Sequence, residues 1–395
     1  MKFSKLSQLF LVSSIGLLVA TLLTACQIVT IDYLFVASAS GIETYAVDSE
    51  SGVLRTGAAT VTGGVSTPVA MTVTPDYANL YVANQGSSAV VHYAISSNGV
   101  LTQKDSVTLS TAPVYMAVNS TGTYLYVVSG TTSATLTEYA LSSGTIGSVV
   151  ATQPLALSGF TSDSIVPTGV TVLANDAAVY VTAYDKSAYN PGGTTTSSAN
   201  PGWVFGFAIG SGGALTTSTG SPYEAGVKPS AIIAEPHNKY VYVTDWASNE
   251  MIGYSIQSGS MLSLLVSGPF KTSSEPAAIT IDPRGKFIYV ANESSATVSA
   301  YSIDLTTGTP TATMSSTSGS ANSTDTWPVA VAVDPALGRF VYTANYLGNS
   351  VSGFRLDATA GTLNTTQATP YPTGEKPTAL VAVPHGNHSV QAISQ

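Results

Sequence analysis

Short apolar runs of about five residues, each closed by turn residues and followed by a more alternating run, recur along the chain in one register. The clearest copy is PAAITIDPRGKFIYVANESSATVSAY, from Pro276 to Tyr301. Within it, Ala277 to Ile281 and Phe287 to Ala291 are β-branched and aromatic runs. They are separated by Asp282-Pro283-Arg284-Gly285, with Asp, Pro and Gly at the first, second and fourth places of a type I turn. A third run, Thr297 to Ile303, alternates, and a more polar fourth run follows the TTG at 306–308. Four antiparallel strands, the first two nearly apolar and the outer two wetter, are what a sheet sandwiched between like sheets requires.

The copies are anchored by Pro68, Pro113, Pro167, Pro229, Pro276, Pro328 and Pro377, spaced 45, 54, 62, 47, 52 and 49 residues apart. That spacing is the period of a propeller blade. The N-terminal segment opens on second-strand sequence, LFVAS at 34–38, followed by third-strand sequence at 42–48, whereas the last copy offers only a first strand, about 378–383. Joining the two predicts one all-β domain over 34–395, a seven-bladed β-propeller with four antiparallel strands per blade. Closure of this kind leaves neither end of the chain with an unpaired edge.

Composition narrows the function classes. Charged residues are 9% of the 395, with a net charge of −9, so no basic stripe is available for nucleic acid. The apolar runs within the repeats are too short to span a bilayer. The N-terminus differs: Lys2 and Lys5 precede an apolar stretch from Leu6 to Leu23, then Leu23-Thr24-Ala25-Cys26, which contains the only cysteine. This order describes an export signal over 1–25. The tetrapeptide resembles a bacterial lipobox, which implies acylation at Cys26, a short tether over 26–33 and a membrane-anchored address in the cell envelope. Gln27 in place of Asp favours the outer membrane or cell surface. The tether enters on the side of the first-to-second strand turns, so the opposite rim is expected to face away from the membrane.

The pattern P-x-A-[IV]-x-[VI]-x-P-x-G-[KR]-[FY]-[VI]-Y-V-[AT]-N, followed by V-S-x-[YF]-x-[IV]-D, resembles the lactonase family of seven-bladed propellers. That family includes the 6-phosphogluconolactonase type and is close to the YVTN-repeat surface proteins. The resemblance implies the fold and raises lactone hydrolysis as an activity. Family members often carry Arg-His after the blade proline; here the seven residues are Val69, Val114, Thr168, Ser230, Ala277, Val329 and Thr378, none of them basic. A phosphorylated substrate would want a guanidinium clamp, yet of four arginines Arg284 and Arg339 fall in turns on the far face.

Candidate chemistry therefore concentrates on the outward rim. The residues before the anchor prolines, Lys228, Glu275, Trp327 and Lys376, vary from blade to blade. The second-strand ends offer Asp245, Asn292 and Asn345, residue types that also fix turns through side-chain-to-backbone hydrogen bonds. Trp203, Trp246 and Tyr346 would suit stacking on a carbohydrate. The longest insertions, Tyr184 to Gly202, Ser158 to Val166 and Ser315 to Trp327, fall on the same rim. Aromatics of the recurring Ser221-Pro222-Tyr223, Gly268-Pro269-Phe270 and Thr369-Pro370-Tyr371 motifs are expected to pack the seams between blades. The four histidines show no metal-ligand spacing, and neither metal nor cofactor is expected. Two functions remain open. The first is a binding module that takes a carbohydrate, peptide or envelope protein on its membrane-distal rim. The second is a hydrolase of an unphosphorylated sugar lactone, with Glu275 or Asp245 as base and Lys228 or Lys376 steadying the oxyanion.

Overall fold

The computed structural model describes residues 29–131, 133–157, 164–189, 201–314 and 321–386. The signal segment, Cys26 and all of residues 190–200, the middle of the insertion from Tyr184 to Gly202, lie outside the described residues. Seven antiparallel sheets follow one another around a ring. The blade that closes it is assembled from both ends of the sequence. Ala379–Pro384 is its inner strand, and Thr30–Ser38, Gly41–Asp48 and Leu54–Thr56 follow outward. Six residue pairs join the two ends, from Asp32 opposite Pro384 to Ala37 opposite Ala379. This is blade 1; blades 2 to 7 begin at Pro68, Pro113, Ile165, Pro229, Pro276 and Pro328.

Each second strand is almost wholly buried, as in Phe287–Asn292, because it lies mid-sheet with a blade on either face. Its tyrosine does more than fill volume. Tyr81, Tyr242, Tyr289 and Tyr342 are fully buried and donate their hydroxyls to the carbonyls of Gly144, Gly308, Gly361 and Gly52, each in the turn of a neighbouring blade. A buried phenol needs such a partner. In these four blades the repeated Tyr thereby bolts one blade to the next.

The Asp282–Gly285 turn forms as the residue types require. The amide of Gly285 donates to the carbonyl of Asp282 at 2.8 Å, with Gly285 at φ +68°, and the Asp282 carboxylate accepts from the amides of Lys286 and Phe287 at 2.7 Å. In blades 4, 5, 6 and 7 the outer strand is interrupted and resumes as a two-residue piece on the third strand, for example Tyr223–Glu224 and Phe270–Lys271. Tyr223, Phe270 and Tyr371 on these pieces pack into inter-blade clusters. The proline preceding each follows a cis peptide bond.

One buried carboxyl marks the closure. Asp32, on the second strand of blade 1, has no solvent exposure, and burial beside Asp334 pushes its pKa up to about 10. It is therefore neutral in the folded protein at pH 7, whereas in the unfolded chain it ionises above its ordinary value of 3.8. Folding stability from this group is complete below that value and declines as pH rises toward 10. Asp32→Asn keeps the shape and removes the ionisation. The variant should melt several degrees higher than the wild type at pH 8 and at the same temperature near pH 3.5. Equal melting temperatures at both pH values would contradict a neutral Asp32.

Candidate functional site on the rim

The inner strands of the seven blades face a central channel. Between them is a cavity of about 110 Å³ lined by small and branched side chains such as Val69, Ala277, Val329 and Ala379. Tyr115, 40% exposed, is the only ionisable residue in that lining. The Ser230 and Thr378 hydroxyls are already engaged, donating to the carbonyls of Pro276 and Pro68 across the blade boundary at 2.5 and 2.7 Å. Among the described residues, then, the channel holds no acid or base beyond one phenol. The chemistry must be sought on the rim.

There a backbone device recurs. The carbonyl of the residue before the anchor proline accepts from the amide just past the end of the second strand. The pairs are Thr67 with Gln85, Lys228 with Trp246, Glu275 with Glu293 and Trp327 with Tyr346, at 2.8 to 3.0 Å. Each pre-proline side chain is thereby set beside the side chain that follows the second strand. Thr67, Glu275, Trp327 and Lys376 sit in the left-handed region, with φ between +47° and +66°. The position before proline disfavours helical backbone and favours extended, so the neighbouring blade has to hold this geometry. Asn249 does so for Glu275 and Asn349 for Lys376, each accepting the backbone amide on Oδ1, at 2.7 and 2.8 Å.

Three residues expected to face a ligand are instead buried beneath the rim. Asp245 is 1% exposed, and its carboxylate accepts from the amides of Val227, Lys228 and Ala247 at 2.7 to 3.2 Å. With these amides on its oxygens it shapes the loop and cannot serve as the base. Asn292 and Asn345 have no exposure, and their Nδ2 groups donate to Thr297 and Ser299 and to Ser350 and Ser352. They tie the second strand to the third. Trp203 is half-buried against the core cluster that includes Leu155, Leu157, Phe205 and Phe207, in the seam between blades 3 and 4.

Lys228, Glu275 and Trp246 do come together. The Lys228 ammonium lies 3.9 Å from the Trp246 ring centroid, 5.3 Å from Tyr189 and 6.0 Å from Tyr184. The two tyrosines meet edge to face at 5.6 Å. Trp246 donates its indole N–H to Glu293 Oε2 at 3.1 Å. Burial lifts the Glu293 carboxyl above the usual glutamate range, and the charge of Glu275 adds to the lift while Trp246 and Lys228 oppose it. Burial likewise draws Lys228 below the usual lysine range, opposed by Glu293 and Glu275. Two carboxyls and an ammonium thus share a half-buried, aromatic-walled corner, each perturbing another. Such a cluster makes this corner the candidate site.

A second group continues along the rim. Trp327 is 38% exposed, Tyr346 is half-buried beside it, and the exposed Lys376 puts its ammonium 5.8 Å from the Tyr346 ring. In ring order the pairs run Lys228 and Trp246, Glu275 and Glu293, Trp327 and Tyr346, then Lys376 on four successive blades. Lys376 is therefore apart from the acid pair.

Residues 29–109 and 212–324 match the family model of the lactonase seven-bladed β-propellers. The chain is a lactonase-type propeller. It superposes over 90% of its length on all of a putative 6-phosphogluconolactonase from Bacteroides uniformis, at 16% identity and a TM-score of 0.73. It covers all of a periplasmic gluconolactonase from Pseudomonas aeruginosa equally well, at 18% identity and a TM-score of 0.73, again over 90% of its own length. A third neighbour, a putative 6-phosphogluconolactonase from Bacteroides fragilis, is 98% covered by 90% of this chain at 19% identity and a TM-score of 0.72. At these identities the likeness is one of fold. No curated protein matches the sequence.

In this lactonase-type propeller Glu293, Tyr184 and Tyr189 join the candidate site, although their residue types did not single them out in the sequence. Glu293 had a signal: it occupies the place after the second-strand Asn or Asp that Trp246 and Tyr346 occupy in their blades. Tyr184 lies at the end of the second strand of blade 4 and Tyr189 just after it, and nothing in their spacing shows that both rings flank Lys228.

Proposed function

We propose that the protein hydrolyses an unphosphorylated sugar lactone at the Lys228, Glu275 and Glu293 cluster. The observation that carries this is Glu293: a half-buried carboxyl raised above its ordinary pKa, fixed by Trp246 and neighboured by an ammonium. A general base works best with a pKa drawn toward the working pH, and an ammonium beside it is suited to a developing oxyanion. In the reaction, Glu293 takes a proton from the water that attacks the lactone carbonyl, and Lys228 faces the oxyanion. Collapse breaks the ring C–O bond, and the proton on Glu293 passes to the departing alkoxide. Lactone and water give the open hydroxy acid, with the base regenerated. The aromatic walls suit the apolar face of a sugar ring, and no arginine among the described residues stands beside the cluster to favour a phosphate. The envelope address expected from Leu23 to Cys26 fits the same substrate class.

The test is acid release from D-glucono-1,5-lactone, corrected for spontaneous opening. Because Glu293 must be ionised to act, kcat/KM should rise with pH through its folded pKa, with an acid limb above the 4.5 of an unperturbed glutamate. No acceleration over the spontaneous reaction, for this lactone and its common stereoisomers, would remove the proposal. A binding module is the second reading, favoured by the exposed Trp327 and Tyr346. It would retain sugar binding without turnover.

A further inference from the structure

Trp327 is the most exposed of the rim aromatics described above, and it is held in place from several sides. Its backbone is left-handed at φ +66°, an arrangement an aromatic residue adopts only when its surroundings impose it. Asp325 supplies much of that constraint. Its carboxylate accepts from the amide of Thr326 at 2.7 Å and from the Ser350 hydroxyl at 2.8 Å, while its own amide donates to Ser352 Oγ at 3.0 Å. On the facing loop, Gly348 donates to the carbonyl of Thr326, and Tyr346 to that of Trp327. A side chain added at Gly348 would strike Asp325 at 2.6 Å, so the two loops can approach this closely only with glycine there. An indole is thus presented to solvent on a pre-organised support, where burial in the core does not account for it. It stands one blade along from Glu275 and Glu293 on the same rim, with Lys376 on its far side over Tyr346.

We infer that Trp327 and Tyr346 form a second subsite, which stacks a further pyranose ring of the lactone that reacts at the acid pair. The preferred substrates are accordingly aldonolactones carrying a glycosyl substituent, with Lys376 donating hydrogen bonds to that ring's hydroxyls. This rests on the lactonase reading for its link to turnover, but the stacking itself can be observed without turnover. An indole on a rigid support loses little freedom when a ring covers it, which is what makes such a residue an efficient contact.

Two measurements on the full chain test it. In the first, hydrolysis of cellobiono-1,5-lactone is compared with that of D-glucono-1,5-lactone for the wild type and Trp327→Ala. The disaccharide lactone should have the lower KM in the wild type. The variant should raise that KM about tenfold while leaving kcat for both substrates and KM for the monosaccharide within about twofold. Equal effects on both lactones, or none on either, would overturn the subsite. In the second, the indole N–H resonance of Trp327, assigned by its loss in Trp327→Phe, is followed as cellobionate and gluconate are added. A shift with cellobionate alone supports the subsite even if neither lactone is hydrolysed, in which case only the lactonase reading fails. An unmoved resonance refutes the subsite whatever the kinetics show.

Discussion

Deleting residues 378–395 should leave a protein that does not fold at 37 °C, or melts at least 15 °C below the wild type. The deletion removes Ala379–Pro384 from the middle of the ring, where Ala379, Leu380, Ala382 and Val383 are 1 to 8% exposed. Burying those side chains contributes about 5 kcal/mol at ordinary transfer values, a large part of the 5–15 kcal/mol by which domains are stable. The same cut strips six residue pairs from Thr30–Ser38 and bares an apolar strand edge. It also breaks the Thr378 bond to the carbonyl of Pro68, which ties blade 1 to blade 2. The fitting control is removal of residues 190–200, the middle of an insertion whose flanks are joined by the amide of Asp185 and the carbonyl of Pro201 at 2.7 Å. Changing the length of such a loop costs under about 1 kcal/mol. Thermal melts of the two deletions decide the matter, and equal losses would mean that the closure does not carry this share of the stability.

Glu293→Gln should lower kcat/KM for lactone hydrolysis at least 100-fold, since a positioned general base contributes about 10²- to 10⁴-fold. The acid limb of the pH profile should vanish with it. The folded protein should not suffer. A carboxyl whose pKa is raised by folding is unfavourable once ionised, so a neutral amide in its place is harmless near pH 7 and loses any advantage below about pH 4.5. Gln also keeps an oxygen for the Trp246 indole N–H, preserving the local geometry. A melting temperature within about 2 °C of the wild type, together with lost turnover, separates a catalytic residue from a structural one. Retained turnover would move the base to Glu275.

Much of the fold was legible because the repeat states it seven times. The Asp-Pro-x-Gly turn, the apolar second strand and the anchor proline each follow from local chemistry, and the mismatch between the first and last copies fixed how the ring closes. The site was less legible. Lys228, Glu275 and Trp246 stood out as departures from the repeat, and the structure brings them together because the backbone sets pre-proline and post-strand positions side by side. Asp245, Asn292 and Asn345 misled because residue type does not tell a side chain turned inward onto backbone amides or neighbouring hydroxyls from one turned outward. The Tyr184 and Tyr189 wall arises from an insertion in one blade, which no repeat constrains.

The pairing of Asp32 with Pro384 joins residues 352 positions apart in the sequence. Every other blade is built from one contiguous stretch and can form as soon as that stretch exists. Blade 1 cannot: its outer three strands are the first to be made and must wait, with an apolar edge unpaired, until the last strand arrives. Loop closure over that span makes this docking the slowest step to organise. During synthesis, therefore, the earliest strands of the protein are the last to become secure.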